Sequence, residues 1–160
     1  MPNLNLLFNK LNSSKELKEF KSRNKGAFLY ACFYVSDGNW QFDFYNPKDR
    51  FITTFEVSET IKVMPIDRAF DTHCEVAELD LKRVKVGYDK AVDLIQKFIG
   101  KECPGDKFFT KTITILQNLK KNVVWNVTFL TSTLKLLNVK LDASSGKVLS
   151  HTEESFLSMR

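Results

Sequence analysis

The chain has 160 residues, of which 43% are hydrophobic, and a formal net charge of +5. This length suits one domain with a sizeable core or two small fused units. The hydrophobic fraction excludes a wholly disordered chain, and no apolar run approaches the roughly 18 residues of a membrane span. Three cysteines at wide spacings, with no CxxC pair, exclude a zinc ribbon and a thioredoxin-like redox site.

The first third of the chain predicts two helices followed by three strands. An i, i+3, i+4, i+7 apolar stripe indicates a helix over 4–11, and Ser13 with Glu16 forms a capping box for a second helix that runs to about residue 24. Residues 27–35 are apolar on both alternating faces, which predicts a strand covered on both sides. Alternating strands are predicted over 40–45 and 51–57.

The remainder repeats this order after a less readable middle. Residues 58–81 predict an irregular crossover, and residues 88–99 carry the apolar stripe of a helix. Strands are predicted over 112–116, 123–130 and 134–141. A turn that ends at Gly146 and a short strand over 147–151 follow.

One segment occurs twice. Residues 40–45 align with residues 125–130 at an offset of 85 (125 − 40 = 85), and each copy starts at a tryptophan. Helices that precede runs of strands indicate the α+β class. We therefore predict duplicated helix-plus-antiparallel-sheet units, the first over 1–60 and the second over 86–160, joined by a crossover over 61–85 within one compact domain. The side chains expected in the core are Trp40, Phe42, Phe44, Phe51 and Phe55 in the first unit, and Trp125, Val127, Phe129, Val139 and Leu141 in the second.

Residues 82–151 resemble the PepSY domain family. The resemblance rests on Val84-Lys85-Val86 before a helix, on Val124-Trp125-Asn126-Val127-Thr128-Phe129, and on the strand, Asp-Ala turn, glycine and final strand of residues 139–149. It implies a cystatin-like fold and an inhibitory or regulatory role beside peptidases or membrane proteins. The first half shares the tryptophan-led strand but not the Asp-Ala turn, so its status as a divergent second copy rests on the internal repeat.

The expected location follows from two observations. The first residues show no basic region, long apolar stretch and cleavage site in succession, which predicts a cytoplasmic protein as the sequence is written. PepSY domains are usually extracytoplasmic, and removal of an export signal or anchor would place this chain there as well.

The polar face of the predicted sheets is the candidate binding site. The residues that we select on it are Gln41, Asp43, Tyr45, Asn126, Thr128 and Lys140. The same pattern places on this face Thr54, Glu56, Thr112, Thr114 and Asn138. The alternative interpretation is that this face is the solvent-exposed side of an antiparallel sheet and binds no ligand.

No arrangement of residues predicts catalysis, a metal ion or a cofactor, and we expect the protein not to be an enzyme. The competing hypothesis is a small enzyme whose site is assembled by the fold, with His73, Cys74, Asp43 and Glu56 as its candidates. An acidic run could hold a cation, but it lacks calcium-loop spacing and favours a solvated crossover. Its members are Asp67, Asp71, Glu75, Glu78 and Asp80.

The partner predicted for this chain is a protein or a peptide. Its basic residues lie in three separate groups, over 15–25, 82–85 and 120–121, and the aromatic residues alternate towards the core. This pattern predicts at most weak, non-specific binding to nucleic acid. The oligomeric state does not follow from the sequence.

Overall fold

The described part of the chain contains three α-helices, two before the first strand and one between strands. The computed structural model describes residues 3–64, 67–68, 76–105 and 108–155. The helices are α1 (Leu4–Asn12), α2 (Lys15–Arg23) and α3 (Tyr88–Glu102), and a short 3-10 helix covers Leu81–Arg83. Ser14, not Ser13, caps α2, because its hydroxyl accepts a hydrogen bond from the Leu17 amide at 3.2 Å.

The strands pair into one antiparallel sheet. They are β1 (Phe28–Val35), β2 (Trp40–Asn46), β3 (Phe51–Val57), β4 (Ile61–Val63), β5 (Asp67–Arg68), β6 (Phe109–Leu119), β7 (Asn122–Thr131), β8 (Lys135–Asp142) and β9 (Val148–Ser155). The spatial order is β4-β3-β2-β1-β6-β7-β8-β9, and β5 pairs with β3.

The prediction of duplicated helix-plus-sheet units with a PepSY/cystatin-like fold is wrong. Strands β1 and β6 pair directly, from Ala31 opposite Gln117 to Val35 opposite Ile113, so a single sheet runs through both halves of the chain. The helices also differ between the halves. Two helices of nine residues each precede β1, and one helix of fifteen residues precedes β6. The coarser prediction, helices packed on antiparallel strands in an α+β protein, is confirmed.

All three helices pack on the same side of the sheet, which we call the helix face. Phe8 of α1 stacks on Phe42 at 5.6 Å between ring centroids, and Phe20 of α2 contacts Phe44 at 5.9 Å. Tyr88 of α3 lies 5.8 Å from Trp125. Period-two alternation placed the core residues on this face correctly, with nine of the ten predicted side chains buried. The exception is Phe51, which is half-buried at the start of β3.

Candidate functional site

The sheet face opposite the helices is the candidate site, and we call it the open face. None of the described helices packs on it. A row of side chains crosses this face through directly paired residues: Gln41 is opposite Phe33, Phe33 is opposite Ile115, Ile115 is opposite Asn126, and Asn126 is opposite Lys140. Because directly opposite residues in an antiparallel sheet point to the same side, these five side chains share the open face.

Apolar side chains occupy the middle of the open face, where β1 and β6 pair. We call this group the apolar centre; its members are Ala31, Phe33, Val35, Ile113 and Ile115. Ala31 is buried, whereas the four larger side chains are half-buried. The described helices cover one side of β1, so the predicted cover on its second side stays a prediction.

Strands β2 and β3 provide the first polar flank. The Thr54 hydroxyl donates a hydrogen bond to the Asp43 carboxylate at 2.6 Å across the β2–β3 pair. Tyr45 stands opposite Phe28 of β1, with ring centroids 5.7 Å apart. The three predicted residues of β2, Gln41 included, thus lie beside the apolar centre, and Asp43 is held in place by a cross-strand partner.

Strands β7 and β8 provide the second polar flank. The Asn138 side-chain amide donates to the side-chain oxygen Oδ1 of Asn126 at 2.6 Å and to the Thr128 hydroxyl at 2.8 Å. Lys140 lies opposite Asn126 and next in the same row. This network fixes the two predicted residues of β7 as a rigid polar ladder.

The predicted binding residues therefore form two groups on one face. Strands β2 and β7 are separated by β1 and β6, which puts the groups about 14 Å apart at the usual strand spacing. The apolar centre fills this interval. Sequence reasoning missed it because it placed Thr112 and Thr114 of β6 on this face.

Strand β6 has the opposite orientation to the one predicted. Thr114 pairs with Tyr34 on one side and Val127 on the other, and it is 0% exposed on the helix face. Thr112 lies opposite Phe129 on the same face. The placement of both threonines on the polar face was wrong, and Ile113 and Ile115 take those positions. The sequence of β1 contained a signal for this orientation, because its residues are apolar on both sides. The apolar side that faces away from the helices is stabilised by apolar side chains on the neighbouring strand.

Two of the four residues of the enzyme hypothesis lie within the described part of the chain. Asp43 and Glu56 lie on adjacent strands of the open face, with Asp43 opposite Thr54 and Glu56 opposite Gln41. His73 and Cys74 lie outside the described residues. Of the acidic run, only Glu78 and Asp80 have described side chains. Within the described residues, no group of three or more His, Cys, Asp or Glu side chains is arranged to hold a metal ion.

Two described cysteines occupy contrasting environments. Cys32 of β1 is fully buried on the helix face, and burial raises the pKa of its thiol well above the usual value. Cys103, after α3, is half-buried, and its sulfur lies 3.8 Å from the Glu153 carboxylate. Since the thiolate is the nucleophilic form, the environment of Cys32 opposes reactivity.

Two of the three basic groups meet in space. The Arg83 guanidinium, in the 3-10 helix, donates to the backbone carbonyl of Lys121 at the turn between β6 and β7. We call Lys82, Arg83, Lys120 and Lys121 the basic cluster. Asp142 adds a carboxylate to its electrostatic surroundings: hydrogen bonds from Ser145 and Ser144 lower the pKa of Asp142, and the charge of Arg83 lowers it further. The third basic group, on α2, is not part of this cluster.

Comparison with known proteins identifies the fold alone. No family model matches the chain, and no curated protein matches it. A solved structure from Clostridium difficile 630, described as a "putative lipoprotein", is similar with a TM-score of 0.55 and 16% identity. The match covers 87% of this chain and 90% of the other. Of the described helices, none combines the length and apolar character needed to cross a membrane.

Proposed function

We propose that this protein is a non-catalytic binding or regulatory module that holds a protein or peptide partner on its open face. The observation that carries the proposal is the apolar centre, a group of apolar side chains on the sheet side that none of the described helices covers. Apolar groups left on a surface favour association, because association removes them from water.

The arrangement of the open face suits a macromolecular partner. Protein interfaces combine an apolar middle with a polar rim, and here the apolar centre lies between two polar flanks. Asp43 and Asn138 already have intramolecular hydrogen-bond partners. A partner would therefore meet a surface whose polar side chains are largely ordered, which reduces the entropy lost on binding.

A regulatory role is the more specific part of the proposal. The short motifs within residues 82–151 that are similar to PepSY domains support a module that controls another protein, such as a peptidase inhibitor, even though the continuous sheet departs from the fold that the resemblance implies. The same resemblance and the description of the structural neighbour as a "putative lipoprotein" support an extracytoplasmic location. Cell fractionation with an antibody against the protein tests the location, and recovery with cytoplasmic markers alone would contradict it.

Site-specific photo-crosslinking tests the binding surface. A photoreactive amino acid replaces Gln41, on the open face, and in a control it replaces Lys97, which is exposed on α3 on the other side of the sheet. After irradiation in the source cells, we expect a discrete adduct from position 41 that position 97 does not give. Equal adducts from both positions, or none from position 41, would contradict the proposal.

The identified partner then allows a quantitative test. Ile115→Asn places an amide in the apolar centre, and we expect it to weaken binding at least tenfold. Val63→Asn is the control, since Val63 is an exposed apolar residue on the edge strand β4. If the partner is a peptidase, inhibition should fall in parallel with binding. Substrate turnover by the purified protein itself would favour the enzyme hypothesis instead.

A further inference from the structure

The described edge strands of the sheet differ in length. At one edge, β4 and β5 pair with different parts of β3 and contain three and two residues. At the other edge, β9 has eight residues, and its six central residues are exposed. Native proteins usually interrupt or shorten edge strands, because unpaired backbone groups there can pair with another strand. Of the described edge strands, β9 is the longest.

The backbone of β9 offers a regular segment for pairing. Its register with β8 shifts between Lys140 and Leu141, which leaves Leu149 at the bulge and residues 150–155 in uninterrupted alternation. Apart from β8, no part of the described chain hydrogen-bonds to the backbone of residues 150–154. An edge strand keeps a row of amide and carbonyl groups on its outer side.

We propose that β9 pairs with β9 of a second copy of this chain, which joins the two sheets edge to edge around a two-fold axis. Residues directly opposite in an antiparallel pair lie on the same face of the sheet. A two-fold axis between identical strands keeps each side chain on its own face, so one residue at the axis must lie opposite the same residue of the other copy. With Thr152 at the axis, His151 of each copy lies opposite Glu153 of the other, and Ser150 lies opposite Glu154.

Charge selects this register. With Glu153 at the axis, two carboxylates would stand opposite each other, which destabilises a strand pair. With His151 at the axis, the pairing would run into the bulge at Leu149. The Thr152 register uses residues 150–154 and offers each carboxylate a donor on the other copy, an imidazole N–H for Glu153 and a hydroxyl for Glu154. Within its own chain, Glu153 already lies 3.0 Å from the Lys135 ammonium and 3.8 Å from the Cys103 sulfur, so the imidazole adds a further donor to this carboxylate. His151 and Glu153 share the helix face, since they pair with Val139 and Leu137.

Sedimentation equilibrium tests the dimer. A strand pair of this length buries less surface than a standard interface, so we expect a dissociation constant of about 100 μM. The mass should rise towards twice 18.5 kDa as the concentration increases from about 10 μM to about 1 mM. A protein that stays monomeric through this range would overturn the proposal.

Charge variants test the register. His151→Glu puts two carboxylates opposite each other at both ends, and we expect it to weaken the dimer at least tenfold. Adding Glu153→Gln removes one carboxylate from each facing pair without placing a second ammonium beside Lys135, and it should restore dimerisation. Lys62→Glu, on the far edge strand β4, is the matched control and should leave the dimer unchanged. Circular dichroism confirms that each variant is folded. A dimer that survives His151→Glu, an unrestored double variant or a dimer weakened by Lys62→Glu would overturn the proposal.

Discussion

The exposure of the open face can be measured with two phenylalanines from adjacent rows of the sheet. Phe42 of β2 is 0% exposed on the helix face, where Phe8 stacks on it. Phe33 of β1 is half-buried on the open face, between Gln41 and Ile115. Truncation of each residue to alanine removes the same atoms, so the difference in cost reports the difference between the two faces.

The expected magnitudes follow from cavity formation. Phe42→Ala opens an enclosed cavity between the sheet and the helices, and such a substitution costs about 3–5 kcal/mol. Phe33→Ala removes apolar contacts with neighbouring side chains, but it leaves a depression open to water and no enclosed cavity. The lost burial alone corresponds to about 1–2 kcal/mol. We therefore expect the two variants to differ by about 2 kcal/mol in the free energy of unfolding.

Urea unfolding followed by circular dichroism measures both free energies against the unsubstituted protein. The slope of each transition checks that the two variants expose similar surface on unfolding. Equal costs for Phe33→Ala and Phe42→Ala would refute the reasoning, because they would show that Phe33 also lies in an enclosed core. The proposed binding surface would then not be available to a partner.

Three further predictions test other parts of the structure. Trp125→Phe leaves the Val86 carbonyl without the indole N–H that now donates to it at 2.8 Å, and urea unfolding should show a loss of about 1–3 kcal/mol. The pKa of Asp142 is lowered, chiefly by a hydrogen bond from the Ser145 amide, so its contribution to stability is present above pH 4 and lost as the pH falls through the folded-state pKa. Asp142→Ala should accordingly lower the thermal midpoint at pH 7 and change it little near pH 2; an equal effect at both values would contradict this sign. Fluorescence anisotropy at physiological salt should give dissociation constants for oligonucleotides of about 1 μM or weaker, despite the basic cluster, and a nanomolar value would contradict that expectation.

The sequence predicts the elements that carry a clear period. Trp40, Phe42 and Phe44 alternate with polar residues, and the structure buries all three on the helix face. Such a pattern is local, since each position depends on which side of its own strand faces the core. The helices before β1 and β6 were found for the same reason.

Strand β6 shows where local patterns fail. Threonine and isoleucine alternate in it, and hydrophobicity alone assigns the isoleucines to the core. The structure does the reverse, because pairing with β1 puts Thr114 beside Tyr34 and Ile115 beside Phe33. This register joins residues about 80 positions apart in the chain, and short-range periodicity carries no information about it.

The β1–β6 pairing explains two errors of the sequence-based prediction: the duplicated fold and the omission of the apolar centre from the candidate site. Similar strand order in the two halves is compatible with two separate sheets or with one continuous sheet, and the β1–β6 pair decides between them. Once β1 and β6 are neighbours, the second apolar side of β1 meets the isoleucines of β6, and an apolar centre forms between polar flanks. The six binding residues chosen from the sequence mark those flanks, whereas Phe33 and Ile115 mark the part that would lose water on binding. A partner that recognised the flanks alone would leave the apolar centre exposed, so we expect substitutions at Phe33 and Ile115 to weaken binding more than substitutions at Gln41 or Lys140.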